Sequence, residues 1–181
     1  MMIKVAVVGA SLAGLWAAIT AAENGASVTL FEQKSDIRNF YGGEVFTQIY
    51  GLPKPEGAHY AAQNFVFHVN STHYIKLPPD TLWMIDRDVY QEALAKRATS
   101  LGVDLRLSTP APSLDKLRHV YHTVIDASGC PSVTYREYGI GKIKETATAL
   151  YYLSSGDFTE YNHDLVMWWL PKKTLGYFWI F

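Results

Sequence analysis

Residues 5–32 read VAVVGASLAGLWAAITAAENGASVTLFE, and this stretch decides the fold of the chain. An apolar run over residues 3–8 predicts a buried strand that leads directly into a glycine-containing turn at residues 9–14. A helical pattern follows the turn. After Gly25, a second apolar run over residues 27–31 predicts another strand, which ends at Glu32. This order predicts a βαβ unit and therefore an α/β fold.

The glycine turn and the acid that ends the second strand predict a dinucleotide site. Gly9 permits the tight turn, and Gly14 lets the helix pack close to the strand. The start of the helix presents backbone N–H groups and a positive dipole end to a pyrophosphate. Glu32 lies 23 residues after Gly9, where its carboxylate can accept hydrogen bonds from ribose hydroxyls and would repel a 2′-phosphate. FAD or NAD therefore fits this site, and NADP does not.

One residue departs from the usual fingerprint. Ser11 stands where the middle glycine lets the backbone approach the pyrophosphate. Its side chain is small and its hydroxyl can donate to phosphate, so we expect binding to survive. The alternative is a βαβ unit without a nucleotide. The residues expected at the site are Gly9, Ala10, Ser11, Ala13, Gly14, Glu32 and Gln33.

Composition limits the remaining possibilities. The 181 residues suffice for one domain, or for one domain and part of another. The formal net charge is −1 and no long basic run occurs, so we expect no nucleic-acid partner. The single cysteine, Cys130, excludes an intrachain disulfide, and its position between Gly129 and Pro131 suggests a small buried residue. The first strand begins at once, which leaves no room for a signal peptide and predicts a cytoplasmic protein.

Further elements follow along the chain. Strands are predicted over residues 64–69, 73–77, 82–85, 104–107 and 123–126, and a helix over 87–100 that Asp86 can cap. Residues 109–113 are proline-rich and break the chain. The segments 147–153, 165–170 and 175–181 are predicted as strands of a second sheet. His119 and His122 are too few ligands for a metal site, so no metal is expected.

Four segments in this order resemble FAD-dependent reductases and monooxygenases of the p-hydroxybenzoate hydroxylase superfamily, and within it most closely the geranylgeranyl reductase family. They are the glycine turn with Glu32, the loop at residues 41–43, the Asp86-Arg87 helix and the Tyr177-Phe178-Trp179-Ile180-Phe181 motif. The resemblance implies FAD as cofactor, with Gly43 near the flavin ring and Arg87 in contact with FAD. The alternative for Arg87 is a surface arginine at the start of a helix.

The resemblance also assigns roles to two later regions. Residues 124–129 match a segment of many superfamily members that contains an Asp-Gly pair, which adds Ala127 and Gly129 to the FAD site. Ser128 takes the aspartate position, which puts direct use of NADPH in doubt, and Tyr41 replaces a cysteine. The Tyr-x-Trp-x-Phe motif is similar to a substrate-cavity motif. It implies that Trp168, Tyr177 and Trp179 contact an isoprenoid, lipid-like substrate and leaves peripheral membrane contact open.

The implied domain division is discontinuous. Residues 1–60 and 82–146 would form the Rossmann-like FAD-binding domain, and residues 61–81 and 147–181 part of a mainly antiparallel β substrate domain. Residues 151–181 hold 10 of the 25 aromatic residues. These can line an isoprenoid cavity, form a sheet core, or meet a partner surface. Since the resemblance covers only the first half of a typical member, we expect a homo-oligomer or a complementary C-terminal chain.

The implied reaction is flavin-dependent reduction of carbon–carbon double bonds in an isoprenoid chain. Two alternatives stay open at this point. One is a flavin monooxygenase or hydroxylase of the same superfamily, and the other is a non-catalytic dinucleotide-binding or interaction module.

Overall fold

The structure is a computed structural model that describes residues 2–38, 45–47, 53–141, 145, 147–150, 152, 154–161, 163–170 and 176–180. These residues form two compact units, of which the first comprises residues 1–41 and 88–149 and the second residues 42–87 and 150–181. Within the described part of the chain, no helix is long and apolar enough to cross a membrane.

The secondary structure elements are short, and eleven strands and four α-helices are described. The strands are β1 (Lys4–Val8), β2 (Ser27–Phe31), β3 (Val45–Thr47), β4 (Ala58–Ala61), β5 (Asn64–His68), β6 (Thr72–Lys76), β7 (Leu82–Ile85), β8 (Asp104–Arg106), β9 (Thr123–Asp126), β10 (Asp164–Trp169) and β11 (Tyr177–Ile180). The helices are α1 (Leu12–Glu23), α2 (Arg87–Ser100), α3 (Leu114–Val120) and α4 (Val133–Tyr138).

The first unit is built on a parallel sheet with the strand order β8-β2-β1-β9. Its two central strands, β1 and β2, are mainly apolar and are buried over four of their five residues, because both faces of such a sheet are covered. Leu15 and Ile19 of α1 are fully buried, as are Val7 of β1 and Leu30 of β2. Since β1 and β2 run in the same direction, α1 must cross over between them. The crossover places the turn after β1 at the carboxyl edge of the sheet, where open α/β sheets bind ligands.

The second helix packs beside α1 through polar as well as apolar contacts. Trp16 Nε1 donates a hydrogen bond to the hydroxyl of Tyr90 at 3.2 Å, and burial raises the pKa of that tyrosine. Arg97 pairs with Glu23 at 2.6 Å. These contacts join α2 to the middle and to the carboxyl end of α1.

The second unit contains two sheets. One has the order β3-β7-β4 and is antiparallel. The other has the order β11-β10-β5-β6 and is mixed, because β5 pairs with β10 in parallel while the outer pairs are antiparallel. Asn64 Nδ2 donates to Asp164 Oδ1 at 2.8 Å where the parallel pair begins.

The α/β fold class with a Rossmann-like sheet and a separate β unit is confirmed. The strand predicted over residues 147–153 is wrong, since the described residues there form no strand. Leu150 and Tyr152 are 71% and 77% exposed, so the described part of the chain does not cover these two side chains. The sequence reading also missed α3 and α4, which have only seven and six residues.

The compact units divide the chain at other positions than the predicted domains. Residues 42–60 and 82–87, expected in the cofactor domain, belong to the second unit. Part of this region forms β3, β4 and β7, which pair with one another. We keep the functional division of the chain as a proposal.

Candidate functional site

The glycine turn after β1 requires a residue without a side chain at its first position. Gly9 has a φ of +95°, and its N–H donates to Phe31 O at 2.8 Å. A Cβ atom there would lie 2.5 Å from Ala127 O and 2.9 Å from Ser128 Cα. Backbone at these distances cannot accept another atom. The turn is therefore held between the ends of β2 and β9.

The second glycine of the turn brings the helix against the strand. Gly14 lies in the first turn of α1 and is buried, and a Cβ atom at this position would overlap Gly9 O. Any larger residue would push α1 away from the turn. The roles predicted for both glycines from sequence agree with these distances.

The amino end of α1 is the candidate anion site of the first unit. Ser11 is the N-cap with extended backbone, and the first helical hydrogen bond runs from Leu15 N to Ser11 O at 2.9 Å. The N–H groups of Leu12, Ala13 and Gly14 therefore have no acceptor within the helix. No acid occupies this first turn, so the positive dipole end remains for an external phosphate.

Glu32 is joined to the glycine turn by a hydrogen bond. Its carboxylate accepts hydrogen bonds from Ala10 N at 2.8 Å and from Lys34 N at 2.9 Å, and the residue is only 5% exposed. A carboxylate has about four acceptor positions, so two remain for ribose hydroxyls. Sequence reasoning assigned only the ribose role to Glu32 and missed the bond to the turn. Gln33, the next residue, is exposed.

A second carboxylate lies at the end of β9, beside the glycine turn. Asp126 Oδ1 accepts from Ser128 N at 3.1 Å and from Ser128 Oγ at 2.5 Å. Asp126 Oδ2 accepts from Thr134 N at 2.7 Å and from Thr134 Oγ1 at 2.5 Å. Burial acts to raise the pKa of Asp126, but these bonds prevail and lower it to about 2. The sequence reading missed this residue, although Asp-x-Ser is a common local bonding pattern.

The other predicted cofactor residues are distributed as follows. Ala127 is half-buried against Gly9, and Gly129 is exposed with a φ of +89° and open space around it. Arg87 is the partly buried first residue of α2 and belongs to the second unit. Gly43 and the loop at 41–43 lie outside the described residues. The expectation that Cys130 is buried is wrong, because it is exposed in the loop after β9.

The three predicted substrate residues do not share one face of the second sheet. Tyr177 pairs with Trp169 and Trp179 with Met167, so these four side chains point to one face. Trp168 pairs with Phe178 on the other face, where it stacks on His68 with ring centroids 5.0 Å apart. Tyr177 and Trp179 therefore belong together, and Trp168 does not belong with them.

The donor groups of the first unit match what FAD presents at its adenosine end. The pyrophosphate requires N–H donors and positive potential, which α1 provides, and the ribose requires a fixed acceptor, which Glu32 provides. Gly9 and Gly14 keep side chains out of the turn. The residues present thus fit FAD.

Comparison with solved structures supports the same architecture. A mutant of 2-methyl-3-hydroxypyridine-5-carboxylic acid oxygenase (MHPCO) has a TM-score of 0.52 and 24% identity, covering 65% of this chain and 34% of that one. A geranylgeranyl bacteriochlorophyll reductase-like protein from Thermoplasma acidophilum has a TM-score of 0.50 and 21% identity, covering 61% of this chain and 32% of that one. The chain thus spans about a third of the length of these proteins.

A search of curated proteins found no match. A family profile, in contrast, matches most of the chain. Residues 4–135 match the FAD dependent oxidoreductase family, and this range includes the parallel sheet, the glycine turn, Glu32 and the Asp126 loop. The match agrees with FAD, one of the two cofactors that the turn and Glu32 allow. The chain therefore belongs to the FAD-dependent oxidoreductase family.

Proposed function

We propose that this chain contributes the cofactor site and part of the substrate surface of a flavin-dependent reductase that acts on carbon–carbon double bonds of an isoprenoid chain. In this proposal, residues 1–60 and 82–146 serve FAD binding, and residues 61–81 and 147–181 serve the substrate. When bound and already reduced, the flavin would supply the hydride.

The observation that carries the proposal is one apolar face of the mixed sheet. The register of the four strands aligns apolar side chains from all of them, including Tyr177 and Trp179 of the Tyr-x-Trp-x-Phe motif. Most are partly exposed, which is the arrangement expected of a surface that holds a long hydrocarbon chain. The apolar residues of this face are Phe65, Phe67, Ile75, Leu165, Met167, Trp169, Tyr177 and Trp179, and His73 lies among them.

The residues expected at the cofactor site have binding and orienting roles. The amides at the start of α1 bind the pyrophosphate, and Glu32 accepts from the ribose while it holds Ala10 N. Arg87 provides a fork of donors for cofactor oxygens. We assign none of the described residues as a proton donor.

The first experiment is a titration of the purified chain with FAD, followed by desalting. Flavin that stays with the protein supports the cofactor site, whereas a chain that binds no flavin contradicts it. NADP serves as a matched ligand, because its 2′-phosphate would face the buried Glu32 carboxylate. We expect FAD to bind and NADP to be rejected.

The second experiment separates the reactions. The FAD-loaded chain is reduced chemically and mixed with a prenyl substrate without oxygen. A reductase reoxidises its flavin and saturates the double bond under these conditions, whereas a monooxygenase requires oxygen. Flavin binding without either reaction favours the third possibility, a non-catalytic module. The MHPCO-like fold alone does not favour the oxygenase, since a fold hosts many reactions.

A further inference from the structure

The loop after β9 is tied to a single carboxylate at both of its ends. Asp126 is the last residue of β9, and its two oxygens hold Ser128, at the beginning of the loop, and Thr134, in the first turn of α4. Ser128 Oγ in turn accepts from Val133 N at 2.8 Å. These hydrogen bonds hold both ends of the loop close to the end of β9. The loop therefore has a defined conformation that rests on Asp126.

The same loop lies directly against the glycine turn. Val8 and Asp126 are paired neighbours in the sheet, and Ala127 N donates to Val8 O at 2.9 Å. The backbone of Ala127 and Ser128 is close enough to Gly9 to exclude a Cβ atom. A shift of the loop would therefore either open a gap beside the turn or press upon it.

The amides at the start of α4 are already used within this network. Val133 N donates to Ser128 Oγ, Thr134 N to Asp126, and Tyr135 N to Ser132 Oγ at 3.1 Å. They are therefore not available to an external phosphate, in contrast to the first amides of α1. The function of the network lies in holding the loop.

We propose that Asp126 is a positioning residue for the flavin cofactor, which fixes residues 127–129 against the glycine turn so that the α1 anion site keeps its shape. The inference rests on the proposed cofactor site. Asp126 itself does not need to touch FAD, because its effect passes through the backbone of Ala127 and Ser128.

The test uses two variants that differ in which part of the network they remove. Asp126→Asn keeps the size of the side chain but places an amide NH2 group opposite an N–H donor. Ser132→Ala removes the bond to Tyr135 N and leaves all four Asp126 bonds intact. Both weaken α4, but only the first releases the loop from Asp126.

Two quantities are measured on the full chain. The first is the exchange rate of the Ser128 and Thr134 amide protons without FAD, and the second is the Kd for FAD. We expect Asp126→Asn to speed up the exchange and to raise the Kd about tenfold or more, the effect of losing one charged hydrogen-bond acceptor. Ser132→Ala should leave the Kd within about twofold.

Three outcomes would overturn the proposal. An unchanged Kd for Asp126→Asn despite faster exchange means that the loop does not position the cofactor. An equal rise of the Kd in Ser132→Ala means that the stability of α4 is the cause. Failure of the unaltered chain to bind FAD rejects the cofactor site itself and the positioning role with it. If Asp126→Asn does not fold, Thr134→Val, which removes a single bond, is measured instead and should raise the Kd about threefold.

Discussion

Glu32 Oε2 accepts a hydrogen bond from Ala10 N across 22 residues of chain, at 2.8 Å and with the carboxylate buried. This bond connects the end of β2 with the turn after β1. The same carboxylate is the proposed acceptor for ribose, so in this proposal one residue both shapes the turn and recognises the cofactor. Changes at Glu32 should therefore affect binding more than the loss of a single ribose contact would.

Glu32→Gln is the direct test of this dual role. In glutamine an NH2 group replaces one of the two carboxylate oxygens. Either Ala10 N or Lys34 N then faces another donor. We expect the Kd for FAD to rise about tenfold or more and the free energy of unfolding to fall by about 1–3 kcal/mol. The exposed Glu56→Gln is the control and should change neither. An unaltered Kd would refute the assignment of Glu32.

Gly14→Ala should be among the most damaging single changes in the first unit. The added methyl group would overlap Gly9 O, which is backbone and cannot move without opening the turn. We expect a loss of about 3 kcal/mol in the free energy of unfolding, together with loss of FAD binding. Thr20→Ala, at an exposed position of α1, is the control. Denaturant unfolding and FAD titration measure the two effects.

Arg87→Lys tests the arginine expected to hold cofactor oxygens. Lysine keeps the charge but loses the planar fork of donors. We expect the Kd for FAD to rise about tenfold, with little change in stability. Arg136→Lys, in the exposed last turn of α4, should leave the Kd as it is. If the two variants bind FAD with equal affinity, Arg87 does not contact the cofactor and is a surface arginine.

The low pKa of Asp126 makes stability depend on pH in a defined range. The folded pKa is about 2, below the ordinary aspartate value of 3.8, so the stabilisation is complete above the unfolded pKa and is lost as the pH falls towards 2. After allowance for solvent screening it amounts to about 1 kcal/mol. The free energy of unfolding of the unaltered chain should exceed that of Asp126→Asn at neutral pH, and this difference should shrink near pH 2. If the difference in unfolding free energy between the two proteins does not change with pH, the low pKa of Asp126 is contradicted.

The two neighbouring tryptophans of β10 should behave differently. Trp168 lies between His68, Tyr161 and Phe178, whereas Trp169 is 38% exposed and stacks only on Tyr177 among the ring contacts described. We expect Trp168→Ala to cost about 3 kcal/mol in the free energy of unfolding and Trp169→Ala about 1 kcal/mol. If the isoprenoid proposal holds, Trp169→Ala should raise the KM for a prenyl substrate more strongly. The reverse order would assign the substrate to the other face.

The sequence was most informative where structure is local. The turn from Gly9 to Gly14 and the helix after it are specified by glycine positions and by apolar periodicity over a few residues, and the family match covers this region. The face of Trp168 depended instead on the register between β10 and β11, which neither strand specifies alone. The role of Asp126 required the conformation of the loop up to Thr134, which no periodicity indicates.

The pairing of β5 with β10 also determines the order in which the molecule can assemble. Asn64 and Asp164 are 100 positions apart, and the residues between them include most of the first unit. Closing such a long loop costs entropy before any contact is gained. During synthesis the β5–β6 hairpin must wait for β10 to emerge, and an isolated hairpin is marginal in water. We expect the parallel sheet of the first unit to form early and the mixed sheet to be completed last.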